Sequence, residues 1–135
     1  MNSEPLHLTG VEAVGGRLGR ELPAGSVVWL QGPLGAGKTT LARAIARSRG
    51  VGTDATSPTF GLVHHYRGPG GEIYHVDCFR LRHPDEAADL DWQTLTASDL
   101  LLIEWPERAG AWAPPASVRV RISHVGDDLR RVDLE

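Results

Sequence analysis

The sequence has 135 residues, of which 41% are hydrophobic and 23% are charged. This composition is typical of a soluble globular protein, and we expect residues 1–135 to form a single domain with its own core. The net charge of −3 argues against a surface that binds nucleic acid through charge alone. The longest apolar run, LLLI, is too short to span a membrane and no signal peptide is visible, so we expect a cytoplasmic protein with no membrane partner.

The first half of the chain predicts a helix, a strand, a glycine-rich loop and a second helix. Apolar residues at helical spacing predict a helix in LTGVEAVGGRLGREL, with Thr9 and Glu12 as a capping box. Its glycines lower helix propensity but allow close packing. The stretch SVVWLQ indicates a buried strand, and TTLARAIARSRG indicates a helix that ends at Gly50.

The second half predicts mainly strands. TFGLVHHY and EIYHVDCF flank RGPGG and predict a β-hairpin. HPDEAADLDWQTLTASD predicts one or two short helices, the first starting near Pro84. DLLLIEW indicates a second buried strand, SVRVRIS a half-solvated strand, and VGDDLRRVDLE a turn and a last strand. This order favours an α/β fold with a mixed central β-sheet.

The loop between the first strand and the second helix, GPLGAGKTT, matches the phosphate-binding pattern G-x-x-x-x-G-K-T. Its glycines let backbone N–H groups turn toward phosphates at a helix N-terminus. Lys38 is the only lysine among 14 basic residues, and we expect its side chain to be exposed to ligand rather than packed. Thr39 would place its hydroxyl on Mg²⁺. The predicted nucleotide-binding residues of the loop are Gly35, Ala36, Gly37, Lys38, Thr39 and Thr40. The alternative is a turn that merely begins a helix.

Two carboxylates follow predicted strands. Glu104 ends LLLIE, the Walker B arrangement, and would hold the metal ion; the alternative is an ordinary glutamate at a strand end. Asp77 ends the hairpin strand and could reach the same sheet edge, although an aspartate that caps the following turn is equally compatible. We predict Lys38, Asp77 and Glu104 as the catalytic residues.

A further segment, SPTF, could respond to the γ-phosphate, since Ser57 and Pro58 favour an extended loop and Thr59 offers a hydroxyl. The pattern alone favours a plain strand start. The acidic run Asp85, Glu86, Asp89 and Asp91 predicts a solvated face that could also meet a basic partner.

Four stretches together, GPLGAGKTT, SPTF, YHVDCFRL and IEWPE, resemble the bacterial TsaE family, the ATPase subunit of tRNA threonylcarbamoyladenosine biosynthesis. The resemblance covers nearly the whole chain. The sequence departs from the family pattern at Pro33, where an aspartate is usual, at Cys78 and Phe79, where Leu–Tyr is usual, and in EAADLDW, where a glycine is usual. None of these departures removes a proposed ligand.

The resemblance implies a P-loop NTPase-type three-layer fold that binds Mg²⁺ and ATP. It implies that Thr39 and Glu104 are metal ligands and that Asp77 is catalytic or lies near the γ-phosphate. It implies that Ser57 to Phe60 form the first switch, with Thr59 in contact with the nucleotide. It also implies that Arg130 or Arg131 lies near the nucleotide. The implied partners are TsaD and TsaB, which modify adenosine 37 of tRNAs that read ANN codons, so that this subunit meets tRNA only indirectly.

Two alternatives remain open from the sequence. A small P-loop kinase would need an acceptor pocket and usually an arginine-rich lid, and no insertion here is long enough for a lid. A nucleotide-gated binding module would hydrolyse ATP only incidentally. A GTPase is excluded because its base-reading motif, N-K-x-D, needs a second lysine.

Overall fold

The computed structural model describes residues 5–50, 62–69, 71–126 and 128–135, and these residues form one six-stranded sheet with helices on both faces. The α-helices are α1 (Leu8–Glu21), α2 (Lys38–Ser48) and α3 (Trp92–Thr96), and two 3₁₀ segments span Pro84–Asp89 and Pro106–Trp112. The strands are β1 (Ser26–Gln31), β2 (Val63–Gly68), β3 (Gly71–Asp77), β4 (Leu100–Glu104), β5 (Val118–His124) and β6 (Arg130–Leu134).

The sheet is mixed, as the sequence predicted. Its strand order is β2-β3-β4-β1-β5-β6. The four inner strands pair in parallel, while β2 and β6 pair antiparallel at the two edges. Tight hairpins produce these edges, because a short turn can join only antiparallel strands.

Alternating side chains divide the core between the two faces of the sheet. On one face, Val28, Ile73 and Leu102 pack with residues of α1 and α2. On the other, Val76 and Leu101 pack with residues from the short helices that follow β3 and β4. The result is the three-layer arrangement that the family resemblance implied.

Strand register brings three strand ends together. Leu30 in β1 and Asp77 in β3 both lie beside Glu104 in β4. The glycine-rich loop follows β1 directly. Since β1, β3 and β4 are parallel and end at one edge, their terminal side chains surround that loop.

The short elements agree with the sequence except at the first helix cap. The acidic stretch forms the first 3₁₀ segment and α3, as predicted. The N-cap of α1 is His7, which makes no side-chain capping bond. The predicted capping box is therefore wrong, because Thr9 and Glu12 lie inside the helix rather than at its start. Within the described part of the chain, no helix has the length and apolar character needed to cross a bilayer.

Candidate nucleotide-binding site

The glycine-rich loop depends on backbone conformations that only glycine adopts easily. Gly32 has φ 149° and Gly37, the N-cap of α2, has φ 114°. A Cβ added at Gly32 would lie 2.1 Å from the carbonyl oxygen of Ile122. The loop therefore runs against β5 and turns directly into α2. The first N–H groups of an α-helix have no partners within the helix, so this end can attract a phosphate.

Lys38 is folded into the loop rather than exposed. Its side chain is buried, and its Nζ donates hydrogen bonds to the carbonyl oxygens of Gly32 at 2.5 Å and Pro33 at 2.9 Å. The Nζ also lies 4.5 Å from the centre of the Trp105 ring. The expectation that the Lys38 side chain is not packed is wrong, because loop carbonyl oxygens and an aromatic face satisfy its ammonium.

The buried carboxylate of Glu104 meets the hydroxyl of Thr39. Thr39 Oγ1 lies 3.2 Å from Glu104 Oε2 and 3.5 Å from Oε1. Thr39 is exposed, whereas Glu104 has only 3% of its surface exposed. The pair thus joins the first turn of α2 to the end of β4, as the Walker A and Walker B prediction requires.

Glu104 stays ionised although it is buried. Burial acts to raise the pKa of Glu104, but hydrogen bonds from His75 and Thr39, together with the charge of Lys38, outweigh burial and hold this pKa below its usual value. An ionised carboxylate beside an exposed hydroxyl supplies the oxygen donors that Mg²⁺ prefers.

Asp77 serves a local role and also faces the site. Its Oδ1 accepts a hydrogen bond from the N–H of Phe79 at 3.0 Å, which is the turn-capping role left open by the sequence. Its side chain also lines the same cavity as Glu104. Because Oδ1 alone caps the turn, the second carboxylate oxygen of Asp77 remains available to the cavity. The capping role and a catalytic role are therefore compatible.

These groups line one cavity of about 360 Å³ beside the loop. The predicted residues along its wall are Gly35, Gly37, Lys38, Thr39, Thr40, Asp77 and Glu104. The wall also contains Arg130, one of the two arginines that the resemblance placed near the nucleotide, together with Leu8, Leu34, Phe79 and Trp105. Ala36 is predicted to bind nucleotide but does not line the cavity, because its side chain is buried and its N–H is hydrogen-bonded to Pro33.

Of the two candidate arginines, Arg130 is the one that reaches the site. Its Nε donates a hydrogen bond to the carbonyl oxygen of Ala36 at 2.9 Å. Arg131 is the next residue in β6 and does not line the cavity. Alternation along the strand puts Arg130 on the same face as Val132, which packs in the α1–α2 core, and Arg131 on the opposite face.

Trp105 lies over the site because the backbone turns sharply after β4. It has φ 55°, the only positive φ among the described residues other than glycine. Its ring lies 5.1 Å from that of Phe79 and caps the Lys38 ammonium. Such a conformation costs a bulky residue about 1–3 kcal/mol and is found mainly where surrounding contacts enforce it. In the sequence, Trp105 directly follows Glu104.

The metal prediction is compatible with the donors present. Among the described residues, no three His, Cys, Asp or Glu side chains form a metal-binding group. Mg²⁺ commonly uses one or two protein oxygens and completes its octahedron with water and phosphate oxygens. Thr39 and Glu104 would therefore suffice beside a nucleotide.

A family model described as "Threonylcarbamoyl adenosine biosynthesis protein TsaE" matches residues 7–132. The chain belongs to the TsaE family. This match confirms the resemblance drawn from the four sequence stretches, all of which lie inside the matched range. Ser57 to Phe60, including Thr59, lie outside the described residues, so the switch remains a prediction.

Two TsaE relatives illustrate how much of the chain is shared. A "tRNA threonylcarbamoyladenosine biosynthesis protein TsaE" from Streptomyces coelicolor is 41% identical over 123 residues, covering 88% of this chain and 83% of the relative. One of the same name from Haemophilus influenzae is 38% identical over 109 residues, covering 80% of this chain and 68% of the relative.

A solved structure shares the fold. The crystal structure of Bacillus subtilis YdiB matches 98% of this chain and 82% of its own with a TM-score of 0.79 and 23% identity. The three-layer arrangement with a mixed sheet, which the TsaE resemblance implied, is therefore also the fold of a solved structure.

Proposed function

We propose that this chain is the Mg²⁺-dependent, ATP-binding and ATP-hydrolysing subunit of tRNA threonylcarbamoyladenosine biosynthesis. Its partners would be TsaD and TsaB, and its target adenosine 37 of tRNAs that read ANN codons. The observation that supports this most is the meeting of the Thr39 hydroxyl with the Glu104 carboxylate at 3.2 Å, beside Lys38 and Asp77. TsaE relatives bear the name of the same biosynthesis.

Each side chain has a distinct task in this proposal. The loop and the N-terminus of α2 would hold the phosphates, with Thr40 beside Thr39 at the cavity wall. Lys38 would leave the carbonyl oxygens of Gly32 and Pro33 and bind the outer phosphates. Arg130 could add a second positive group near the loop.

The two carboxylates would divide the remaining work. Thr39 and Glu104 would hold Mg²⁺, which neutralises charge on the phosphates. Asp77 lies beside Glu104 in the sheet and would orient the attacking water. Positioning and electrostatics of this kind account for most of phosphoryl-transfer catalysis.

The ATP cycle of this chain would act on the partner proteins. Thr59 would contact the γ-phosphate and lose that contact on hydrolysis, and the change in the loop would alter the bound complex. This part of the proposal rests on the sequence alone. The exposed acidic stretch Asp85, Glu86, Asp89 and Asp91 would suit a basic protein surface rather than tRNA. We place this assembly in the cytoplasm, where its tRNA substrate is found.

ATP turnover by the purified chain, alone and with the TsaD–TsaB complex, tests the proposal. We expect slow turnover alone and at least tenfold faster turnover with the complex, with Mg²⁺ required in both. Lys38→Met is the control for contaminating ATPases. A turnover rate that the complex does not change would favour a nucleotide-gated binding module whose hydrolysis is incidental. Phosphate transfer to a small molecule would favour a kinase.

A further inference from the structure

His75 is a buried side chain in the site that the proposed function leaves unused. It lies in β3, two residues before Asp77, with 3% of its surface exposed. Its Nε2 is 2.5 Å from Oε2 of Glu104. The same Oε2 is 3.2 Å from the Thr39 hydroxyl, so one carboxylate oxygen is held from two sides.

The sheet register makes this contact specific. His75 lies beside Leu102 in β4, and Glu104 is two residues further along the same face. The neighbouring side chains on that face, Ile73, Leu100 and Leu102, are fully buried and apolar. On the β2 side, the ring of His64 lies 5.7 Å from that of His75. His75 is therefore a buried polar side chain between apolar neighbours, a second histidine and the carboxylate that it contacts.

Stability alone explains this pair poorly. A buried ionic or hydrogen-bonded pair is often no more stabilising than apolar side chains of similar volume. Side chains that hydrogen-bond to metal ligands, in contrast, fix the orientation of those ligands, and their loss commonly lowers metal affinity or activity by about 10- to 100-fold.

We propose that His75 is a positioning residue that donates its Nε2–H to Oε2 of Glu104 and thereby aims the other oxygen of that carboxylate at the metal. This inference rests on the proposed role of Glu104. His75 touches neither nucleotide nor metal in this scheme, and it acts only through Glu104.

Three substitutions at position 75 separate positioning from packing. Gln places its side-chain amide N–H near the position of the histidine Nε2, whereas Asn is too short to do so, and Leu has no donor. Ile73→Val is the matched control, because Ile73 lies on the same face of β3 and is fully buried but has no bond to Glu104.

The measurement is the Mg²⁺ concentration that gives half-maximal binding of a non-hydrolysable ATP analogue, alongside analogue binding in EDTA and the melting temperature. We expect His75→Leu and His75→Asn to need about 10- to 100-fold more Mg²⁺, with unchanged binding in EDTA. His75→Gln should stay within about threefold of wild type, and Ile73→Val should lower the melting temperature without moving the Mg²⁺ requirement.

The inference is overturned if His75→Asn and His75→Gln show the same Mg²⁺ requirement, whether shifted or not. It is also overturned if Ile73→Val shifts that requirement as much as His75→Asn does. Glu104→Gln distinguishes the two proposals. If it raises the Mg²⁺ requirement and His75→Asn does not, only the role of His75 fails; if Glu104→Gln has no effect, the metal site itself is wrong.

Discussion

Lys38 holds a positive charge in a buried position. Burial lowers the pKa of Lys38, although the carboxylates of Glu104, Asp77 and Glu107 act to raise it. Since the folded pKa lies below the unfolded value of 10.5, the protonated lysine costs folding free energy at neutral pH. That cost diminishes as the pH rises through the lowered pKa. The buried charge of Lys38 therefore does not stabilise the fold at neutral pH.

Lys38→Met should separate binding from stability. A hydrogen bond to a charged group contributes about 1.5–3 kcal/mol, so we expect ATP affinity to fall by about 10- to 100-fold. The melting temperature should be equal to that of wild type or higher, because the desolvated charge is removed and neither Gly32 nor Pro33 is buried. Calorimetric titration with ATP and thermal unfolding without ligand measure the two effects. A loss of stability with unchanged affinity would make Lys38 a structural residue.

Asp77 and Glu104 can be distinguished by amide substitutions that keep their shapes. Asp77→Asn preserves the acceptor that caps the N–H of Phe79, so ATP and Mg²⁺ binding should remain near wild type. Turnover should fall by about 100-fold or more if the carboxylate orients water. Glu104→Gln should instead raise the Mg²⁺ requirement for binding by at least about tenfold. The variants are compared by Mg²⁺ titrations of nucleotide binding and by single-turnover hydrolysis. If both variants behave as wild type does, neither acid serves the site.

Some of these residues could be predicted from sequence and others could not. The loop pattern predicted Lys38 and Thr39, and the apolar run before Glu104 predicted the metal-binding acid. His75 shares a strand face with Asp77, because the two are separated by one residue in a β-strand; that spacing was a usable signal. No sequence signal indicated that Lys38 is buried. Its burial depends on Trp105, which follows β4 and is far from Lys38 in the sequence.

At the scale of elements, the position of α2 depends on how closely α1 approaches it. A Cβ added at Gly19 would lie 1.8 Å from Ser48 Oγ and 2.6 Å from the carbonyl oxygen of Ile45. The prediction that the glycines of α1 allow close packing is consistent with these distances. Because α2 begins with Lys38 and Thr39, a displaced helix pair would also displace the site.

Gly19→Ala should therefore destabilise the protein despite the higher helix propensity of alanine. Overpacking commonly costs about 1–3 kcal/mol, which lowers the melting temperature by several degrees in a domain of this size. Gly16→Ala is the matched control in the same helix, since its Cβ would meet only the end of the flexible Arg20 side chain at 3.2 Å. It should be neutral or stabilising by up to about 1 kcal/mol. Equal melting temperatures for the two variants would contradict the packing explanation.

At the scale of the whole molecule, the sequence predicted the elements better than their arrangement. Hydrophobic patterns indicated each strand, because burial on one or both faces leaves a periodic signal. The order β2-β3-β4-β1-β5-β6 depends on pairings between distant segments, and no local pattern encodes it. The choice of Arg130 over Arg131 depends on which face of the sheet each side chain occupies, and the pairing of β6 with β5 brings that face to the loop.

Multiple-turnover formation of threonylcarbamoyladenosine in tRNA tests most directly whether ATP hydrolysis by this chain drives the modification. The reaction contains tRNA, the threonylcarbamoyl donor, the TsaD–TsaB complex and either wild-type chain or Asp77→Asn, with the modified nucleoside counted per complex. We expect wild type to support many turnovers, whereas Asp77→Asn should bind ATP and the complex but stop after about one. Equal product from both, with hydrolysis lost in the variant, would contradict a driving ATPase and leave a constitutive nucleotide-binding subunit.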